Sequence, residues 1–224
     1  MLDCLARGGI AQSVERRNHN PCVGGSNPSL ATIFQEIGMD IDANGAHFGA
    51  GKILLLSCCA PCSVAVIKTM AEEGYDFSVF FYNPNITPFA EYQKRCLENK
   101  RICEICNVPF IESSYDHSVW EKAVRGLENE PERGKRCSIC FYIRLKEAML
   151  YAKKNGYTSV ASVLGVSRYK NLDQVNAAAL TASKETGVPY IHIEGRKNGM
   201  QDLRQKLIKD WHLYNQNYCG CKPR

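Results

Sequence analysis

Between Lys52 and Tyr214 the spacing of apolar and polar positions alternates between two periods. "KILLLS" (52–57) is a short, almost wholly apolar run, the pattern of a buried strand. "CSVAVIKTMAEEG" (62–74) follows with helical spacing and a terminal glycine. "FSVFFY" (77–82) and "VPFIES" (108–113) read as strands. The stretch between them, "PFAEYQKRCLENKRICEIC" (88–106), is amphipathic and opens on Pro88. "CFYIRLKEAMLYAKKNG" (140–156) predicts a helix with Phe141, Leu145, Ala148 and Ala152 on one side and Gly156 as its stop. Strand, helix, strand and helix then follow in "YTSVASVLG", "NLDQVNAAALTASKETG", "PYIHIEG" and "MQDLRQKLIKDWHLY". Strands separated by helices imply right-handed crossovers and a mainly parallel α/β sheet flanked by helices. The loop from Glu112 to Arg136 is long and charged, the kind that is usually functional or mobile.

Residues 1–38 break this rhythm. "GGIAQSVERRNHNPCVGGSNPSLAT" has neither period and is rich in Gly, Asn, Ser and Pro. Gly-Ser-Asn-Pro (25–28) is what the T-arm of a tRNA gene encodes when read as GGU UCG AAU CCN. The expectation is an unstructured, spurious extension over 1–38 with the true start at Met39. A genuine flexible extension is the alternative. Residues 39–224 then form a single catalytic domain with a cysteine-rich C-terminal tail, and Cys4 and Cys22 drop out of the chemistry.

Composition sharpens this reading. The 224 residues are 45% hydrophobic and 23% charged, as in one globular domain of ordinary size. No apolar run has the length of a membrane span, and the start lacks a signal peptide's apolar core, so the expected location is the cytoplasm, with no membrane partner. The formal net charge of +5 permits an RNA partner without requiring one. Twelve cysteines in a reducing compartment point to metal ligands or redox centres, not to a structural disulfide framework.

Those cysteines fall in groups. Cys58 and Cys59 stand at the carboxyl end of the first strand, where parallel sheets bind ligands. Pro61 suits the first turn of the next helix, which places Cys62 there, among free N–H groups that favour anions. Cys137 and Cys140, three apart at a helix start, can face one metal centre. Cys58, Cys59, Cys137 and Cys140 supply four thiolates, enough for a [4Fe–4S] cluster and equally for tetrahedral zinc. The adjacent pair is unusual for zinc ribbons. Cys219 and Cys221 flank Gly220, and a disulfide closing so small a ring is strained and reducible, the catalytic kind. Extra metal ligands or inert tail thiols are the alternatives. Cys96, Cys103 and Cys106 carry a Cys-x-x-Cys form but lie on an amphipathic helix, where small buried thiols are the better reading.

"SCCAPC", "YNPNI" with "EY" after it, "EPERGKRCSICFYIRL", "SRYKN" and "YNQNYCGC", in that order, resemble the QueH-type epoxyqueuosine reductases from about Lys52 to Cys221. The resemblance implies a HUP-like, Rossmann-type fold. It implies the last step of queuosine synthesis, two-electron removal of the epoxide oxygen of epoxyqueuosine at the tRNA wobble position. The family works without the cobalamin of the unrelated QueG-type reductase. By the same resemblance Cys58, Cys59, Cys137 and Cys140 hold the [4Fe–4S] cluster, and Cys219 and Cys221 form a redox-active disulfide. Cys62 matches a position held by Cys or Asp and is a candidate ligand for an additional iron.

Opening an epoxide to an alkene takes two electrons and protons and expels water, so a ferredoxin- or flavodoxin-like one-electron donor is an expected partner beside the tRNA. Tyr82, Tyr115, Asp116 and Tyr218 are candidate proton donors, and Tyr82, Asn83, Asp116, Arg136, Arg144, Lys170, Asn171 and Tyr218 are candidate substrate or tRNA contacts. Arg133, Lys135 and Arg136, with Arg196, Lys197, Arg204, Lys206 and Lys209, are weaker candidates for tRNA phosphates. Two other classes compete. A HUP-type tRNA sulfur transferase needs an ATP loop of the Ser-Gly-Gly-x-Asp-Ser kind, whose place "SCCAPCS" occupies, so no ATP is expected. A zinc-stabilised RNA-binding module would carry zinc without sulfide.

Overall fold

The computed structural model describes residues 51–197 and 199–222. The expectation for residues 1–38, with Cys4 and Cys22, lies outside the described residues. Five strands form one parallel sheet: β1 (Ile53–Ser57), β2 (Phe77–Phe81), β3 (Phe110–Glu112), β4 (Ser159–Ser162) and β5 (Tyr190–Ile191), in the order β3-β2-β1-β4-β5. Among the described residues six α-helices accompany them: α1 (Ala60–Glu72), α2 (Phe89–Ile105), α3 (His117–Ala123), α4 (Lys135–Lys154), α5 (Leu172–Thr186) and α6 (Met200–Asp210). This is the HUP-like α/β architecture expected.

Local sequence explains most boundaries. Every residue of β1 and β2 is buried, as central parallel strands covered on both faces must be. Asn171 caps α5 by accepting the Asp173 and Gln174 N–H groups, and Gly187 ends it in the left-handed conformation, φ 73°. Phe141, Leu145, Ala148 and Ala152 of α4 are all buried. The long charged segment contains α3, capped by Asp116, whose carboxylate accepts the Ser118 N–H.

Helices α1, α2 and α6 pack as one group and α4 with α5 as another. The chain first steps outward from β1 to β2 and β3, then returns past β1 to β4 and β5. With right-handed crossovers that reversal puts the helix groups on opposite faces. It also splays the loops after β1 and β4 apart and opens a crevice at the carboxyl ends of those two strands. Leu55, at the centre of β1, pairs with Val79 on one side and Ala161 on the other, so the crevice rests on the most buried part of the core.

Candidate functional site

The strand β1 delivers three thiols to that crevice. Cys58 follows its last residue. Cys59 is the N-cap of α1 in extended backbone, and Pro61 occupies the first turn, where it has no helical N–H to lose. Cys62 closes the turn, its N–H donating to the Cys59 carbonyl at 3.2 Å. The sulfurs of Cys58, Cys59 and Cys62 lie within 4.8 Å of one another, and all three residues are buried. Cys58 Sγ and Cys59 Sγ are 3.6 Å apart. Donation from the Cys59 and Cys62 thiols, against the cost of burial, holds the Cys58 thiol well below its ordinary value, with Lys170 and Arg144 helping. The reverse coupling lifts Cys59 to about 11 and pushes Cys62 up.

Four more thiols face the same space. Gly134 caps α4, whose first two turns carry Cys137 and Cys140. The Arg133 N–H donates to Cys137 Sγ at 3.3 Å. Cys140 packs with Trp120, Val124 and Cys221, and burial lifts its thiol to about 11. The tail brings in Cys219 and Cys221. All seven line a cavity of about 900 Å³, together with Arg95, Arg136, Arg144, Lys170 and Tyr218.

The tail is fastened by groups that the sequence did not single out. Arg95 is buried. Its Nη1 donates to the Cys219 carbonyl at 2.8 Å and its Nη2 to the Tyr218 carbonyl at 3.3 Å. Its Nε pairs with Glu91 Oε1 at 2.6 Å. The Thr87 N–H donates to the Gly220 carbonyl at 2.8 Å. Gly220 has φ 94°, and a Cβ there would meet the Arg95 guanidinium at 3.0 Å.

The expected Cys219–Cys221 disulfide is not formed; all described cysteines are free thiols. The backbone on either side of Gly220 is pinned by these hydrogen bonds. Donation from Cys221 lowers Cys219 to about 6 against the cost of burial, with Lys170 and Arg144 reinforcing it. The same contact pushes Cys221 up.

The remaining candidates separate by location. Lys170 Nζ lies 3.4 Å from Cys58 Sγ. Burial works against its charge, but Cys58, Cys62 and Cys219 outweigh it and raise its pKa. Arg144 is buried, donates through Nη2 to Asn83 Oδ1 and through Nε to the Tyr82 carbonyl at 3.2 Å, and lines the cavity. Asn83 in turn donates to the Ser57 carbonyl at 3.0 Å. Tyr82 and Asn83 therefore hold Arg144 and are not among the cavity-lining residues. Asp116 caps α3 outside the cavity, and the Tyr115 hydroxyl donates to the Ile86 carbonyl at 2.8 Å. Arg136 is buried in the wall, with Nη1 on the Glu128 carbonyl at 2.7 Å and, among the described residues, no partner for Nε. Asn171 and Tyr218 line the cavity.

Of the basic residues, Arg133 and Arg196 brace the loop after β4 through its carbonyls. Arg204 donates to the Pro61 carbonyl at 2.6 Å. Cys96 and Cys103 are buried in core clusters, Cys106 packs against one, and none of the three lines the cavity. Burial lifts Cys103 to about 12, which makes it an inert thiol. Glu91 stands in the "EY" of the family-like motif, but its pairing with Arg95 had one visible signal, the i,i+4 spacing, which is indistinguishable in sequence from an exposed helix pair.

A family model described as "Epoxyqueuosine reductase QueH" matches residues 53–222. Curated proteins of that name are similar to this chain. The one from Acinetobacter baylyi is 46% identical over 173 residues, which cover 77% of this chain and 79% of that protein. The one from Haemophilus influenzae is 41% identical over 174 residues, covering 77% and 71%. The one from Thermotoga maritima is 33% identical over 174 residues, covering 76% and 88%. Two solved structures share the fold. One is a predicted tRNA methyltransferase subunit from Methanocaldococcus jannaschii, with TM-score 0.50, 14% identity and coverage of 69% of this chain and 74% of that chain. The other is the U34-tRNA thiolase NcsA from Methanococcus maripaludis with its [4Fe-4S] cluster, with TM-score 0.50, 13% identity and coverage of 87% and 68%.

Proposed function

The chain belongs to the epoxyqueuosine reductase QueH family, and from that membership we propose that it converts epoxyqueuosine to queuosine at the wobble position of tRNA without cobalamin, at the seven-thiol cavity between β1 and β4. The observation that carries the reading is the buried thiol group Cys58, Cys59 and Cys62, facing Cys137, Cys140, Cys219 and Cys221 across one cavity. Seven thiols exceed what one tetrahedral zinc uses and suit a [4Fe–4S] cluster with thiols to spare. Cys58, Cys59, Cys137 and Cys140 are the proposed cluster ligands, and Cys62, beside two of them, is the proposed ligand of an additional iron. The structure of NcsA, a U34-tRNA thiolase of this fold with its [4Fe-4S] cluster, lends support. When bound, the cluster supplies one-electron transfer and an iron able to act as a Lewis acid towards the epoxide oxygen.

The chain's own groups account for the rest. Epoxide, two electrons and two protons give alkene and water. Cys219 as thiolate and Cys221 as thiol hold two electrons and one proton, at Cys221 Sγ, and the second proton comes from solvent. Their oxidation during turnover leaves a disulfide and releases that proton, and two one-electron transfers from a ferredoxin- or flavodoxin-like donor, with one proton, restore the pair. Half-buried Lys170 and buried Arg144 favour the thiolates and offset the accumulation of negative charge around the substrate. The Glu91–Arg95 pair keeps the tail over the cavity. The family match begins at residue 53, in keeping with a catalytic unit that excludes residues 1–38.

Anaerobic purification followed by iron, sulfide and zinc analysis tests the cofactor. Mass spectrometry of nucleosides from tRNA treated with the enzyme, a low-potential reductant and no added cobalamin tests the reaction. Iron with sulfide and conversion to queuosine are expected. Zinc without sulfide, or no conversion, overturns the reading.

A further inference from the structure

The loop from Ser167 to Asn171 leads from β4 into the cavity, and its backbone is immobilised from two directions. Arg133 donates to the Tyr169 carbonyl at 3.0 Å and to the Arg168 carbonyl at 3.1 Å. Arg196 donates to the Ser167 carbonyl at 2.7 Å and the Lys170 carbonyl at 2.8 Å. The Tyr169 N–H reaches Ser167 Oγ at 3.3 Å, and Asn171 is fixed as the cap of α5. Lys170 turns inward to Cys58. Tyr169 does the opposite: it lines the cavity and yet is 74% exposed, more than any other large hydrophobic side chain among the described residues. A single exposed aromatic is ordinary on a protein surface. This one stands at the mouth of the site, on a backbone held by two guanidiniums, next to Arg168, which also lines the cavity.

A reacting group carried by an anticodon-loop base enters a cavity most deeply when that base is splayed out of its stack, and the neighbouring base loses a partner when it is. Aromatic side chains replace such lost stacking in single-stranded RNA, and a pre-fixed ring does so at little ordering cost. Resting on the reading of the substrate as a modified base in a tRNA anticodon loop, we propose that Tyr169 is the platform on which the base adjoining the modified nucleotide stacks, with Arg168 on the phosphate between them. The ring thereby sets how deeply the modified base enters towards the thiols.

The test uses metal-loaded protein, an anticodon stem-loop RNA carrying 2-aminopurine beside the wobble position, and the variants Tyr169→Ala, Tyr169→Phe and Arg168→Gln. Iron content and the visible spectrum should match wild type in all three. Stacking is worth about 1–3 kcal/mol per base, so Tyr169→Ala should weaken binding roughly 5- to 150-fold and abolish the change in 2-aminopurine fluorescence on binding, while Tyr169→Phe keeps both. Tyr169→Ala should leave the slope of log Kd against log salt unchanged, whereas Arg168→Gln should reduce it by about one phosphate's worth. Wild-type affinity in Tyr169→Ala, or an unchanged fluorescence response, overturns the inference whatever the conversion assay gives. A wild-type protein that binds the RNA with the expected fluorescence change but leaves epoxyqueuosine unconverted sinks the reaction reading alone.

Discussion

Lys170 Nζ lies 3.4 Å from Cys58 Sγ, so an ammonium from the loop after β4 meets a thiolate from the loop after β1 across the crevice where the strand order reverses. The contact joins residues 112 positions apart and supports a charge on each. Thiol donation from Cys59 and Cys62 is the larger support for the Cys58 thiolate and Lys170 a smaller one. In metal-free protein, Lys170→Met should therefore move the pH profile of Cys58 alkylation upward, because removing a cation disfavours the thiolate, and Cys59→Ala should move it further. Peptide-resolved iodoacetamide kinetics reads both. A profile for Lys170→Met that superimposes on wild type would remove the ammonium from the account.

Single changes of Cys58, Cys59, Cys137 or Cys140 to Ala should each deplete iron and bleach the visible absorption of anaerobically purified protein. Cys103→Ala should keep the full iron content, since its sulfur is buried in the core away from the cavity. Full iron loading in Cys137→Ala would refute the ligand set. Bleaching in Cys103→Ala would mean that the helix α2 thiols had been dismissed wrongly.

Much of this was legible in the chain. Wholly apolar runs became β1 and β2, Asn171 and Gly187 bounded α5, and the cysteine groups at strand and helix starts converged on one cavity. The departures have separate causes: a position at the sheet edge, a helix too short to show its period, a local turn, and side-chain partners distant in sequence. "PYIHIEG" reads as a full strand, but among the described residues it pairs with β4 only through Tyr190 and Ile191, at the sheet edge. Helix α3, seven residues long, is too short for a helical period to stand out in sequence. Spacing grouped Cys58 and Cys59 with Cys137 and Cys140, whereas the tightest sulfur group includes Cys62, because the first turn of α1 folds its thiol back onto the strand end. Tyr82 and Asn83 stood in a family-like motif and serve as a bracket for Arg144.

The Glu91–Arg95 pair predicts a coupled loss of stability and tail order. Arg95→Ala leaves the Glu91 carboxylate in a buried site without its cation, at a cost of roughly 3–5 kcal/mol. It also frees the Cys219 and Tyr218 carbonyls. The urea midpoint should fall, and amide hydrogen exchange should rise at Thr87, whose N–H is bonded to the Gly220 carbonyl. Gly220→Ala should accelerate the same amide with a smaller loss of stability, through its left-handed φ and the encounter with Arg95. Unchanged exchange at Thr87 in both variants would show that the tail is held by something other than this clamp.

Cys219 should be the tail's reactive thiol and Cys221 its silent partner. Hydrogen bonding from Cys221, reinforced by Lys170 and Arg144, brings Cys219 to about 6, whereas Cys221 is pushed above the ordinary thiol range. For Cys219, a lowered value means that the thiolate is present at neutral pH and is lost only as the pH falls through about 6. Its alkylation rate in metal-free protein should thus be flat from pH 8 down to about 7 and fall below that, while Cys221 stays unlabelled. Cys221→Ser substitutes a donor held in a different geometry, and the Cys219 midpoint should rise. The double change to Ser should retain iron and RNA binding but lose conversion of epoxyqueuosine, because two electrons and a proton are no longer stored beside the substrate. Iron loss in the double variant would make the pair ligands, and undiminished conversion would take it out of the reaction. A Cys219 midpoint near that of a free thiol would show that neither Cys221 nor the two cations support its thiolate.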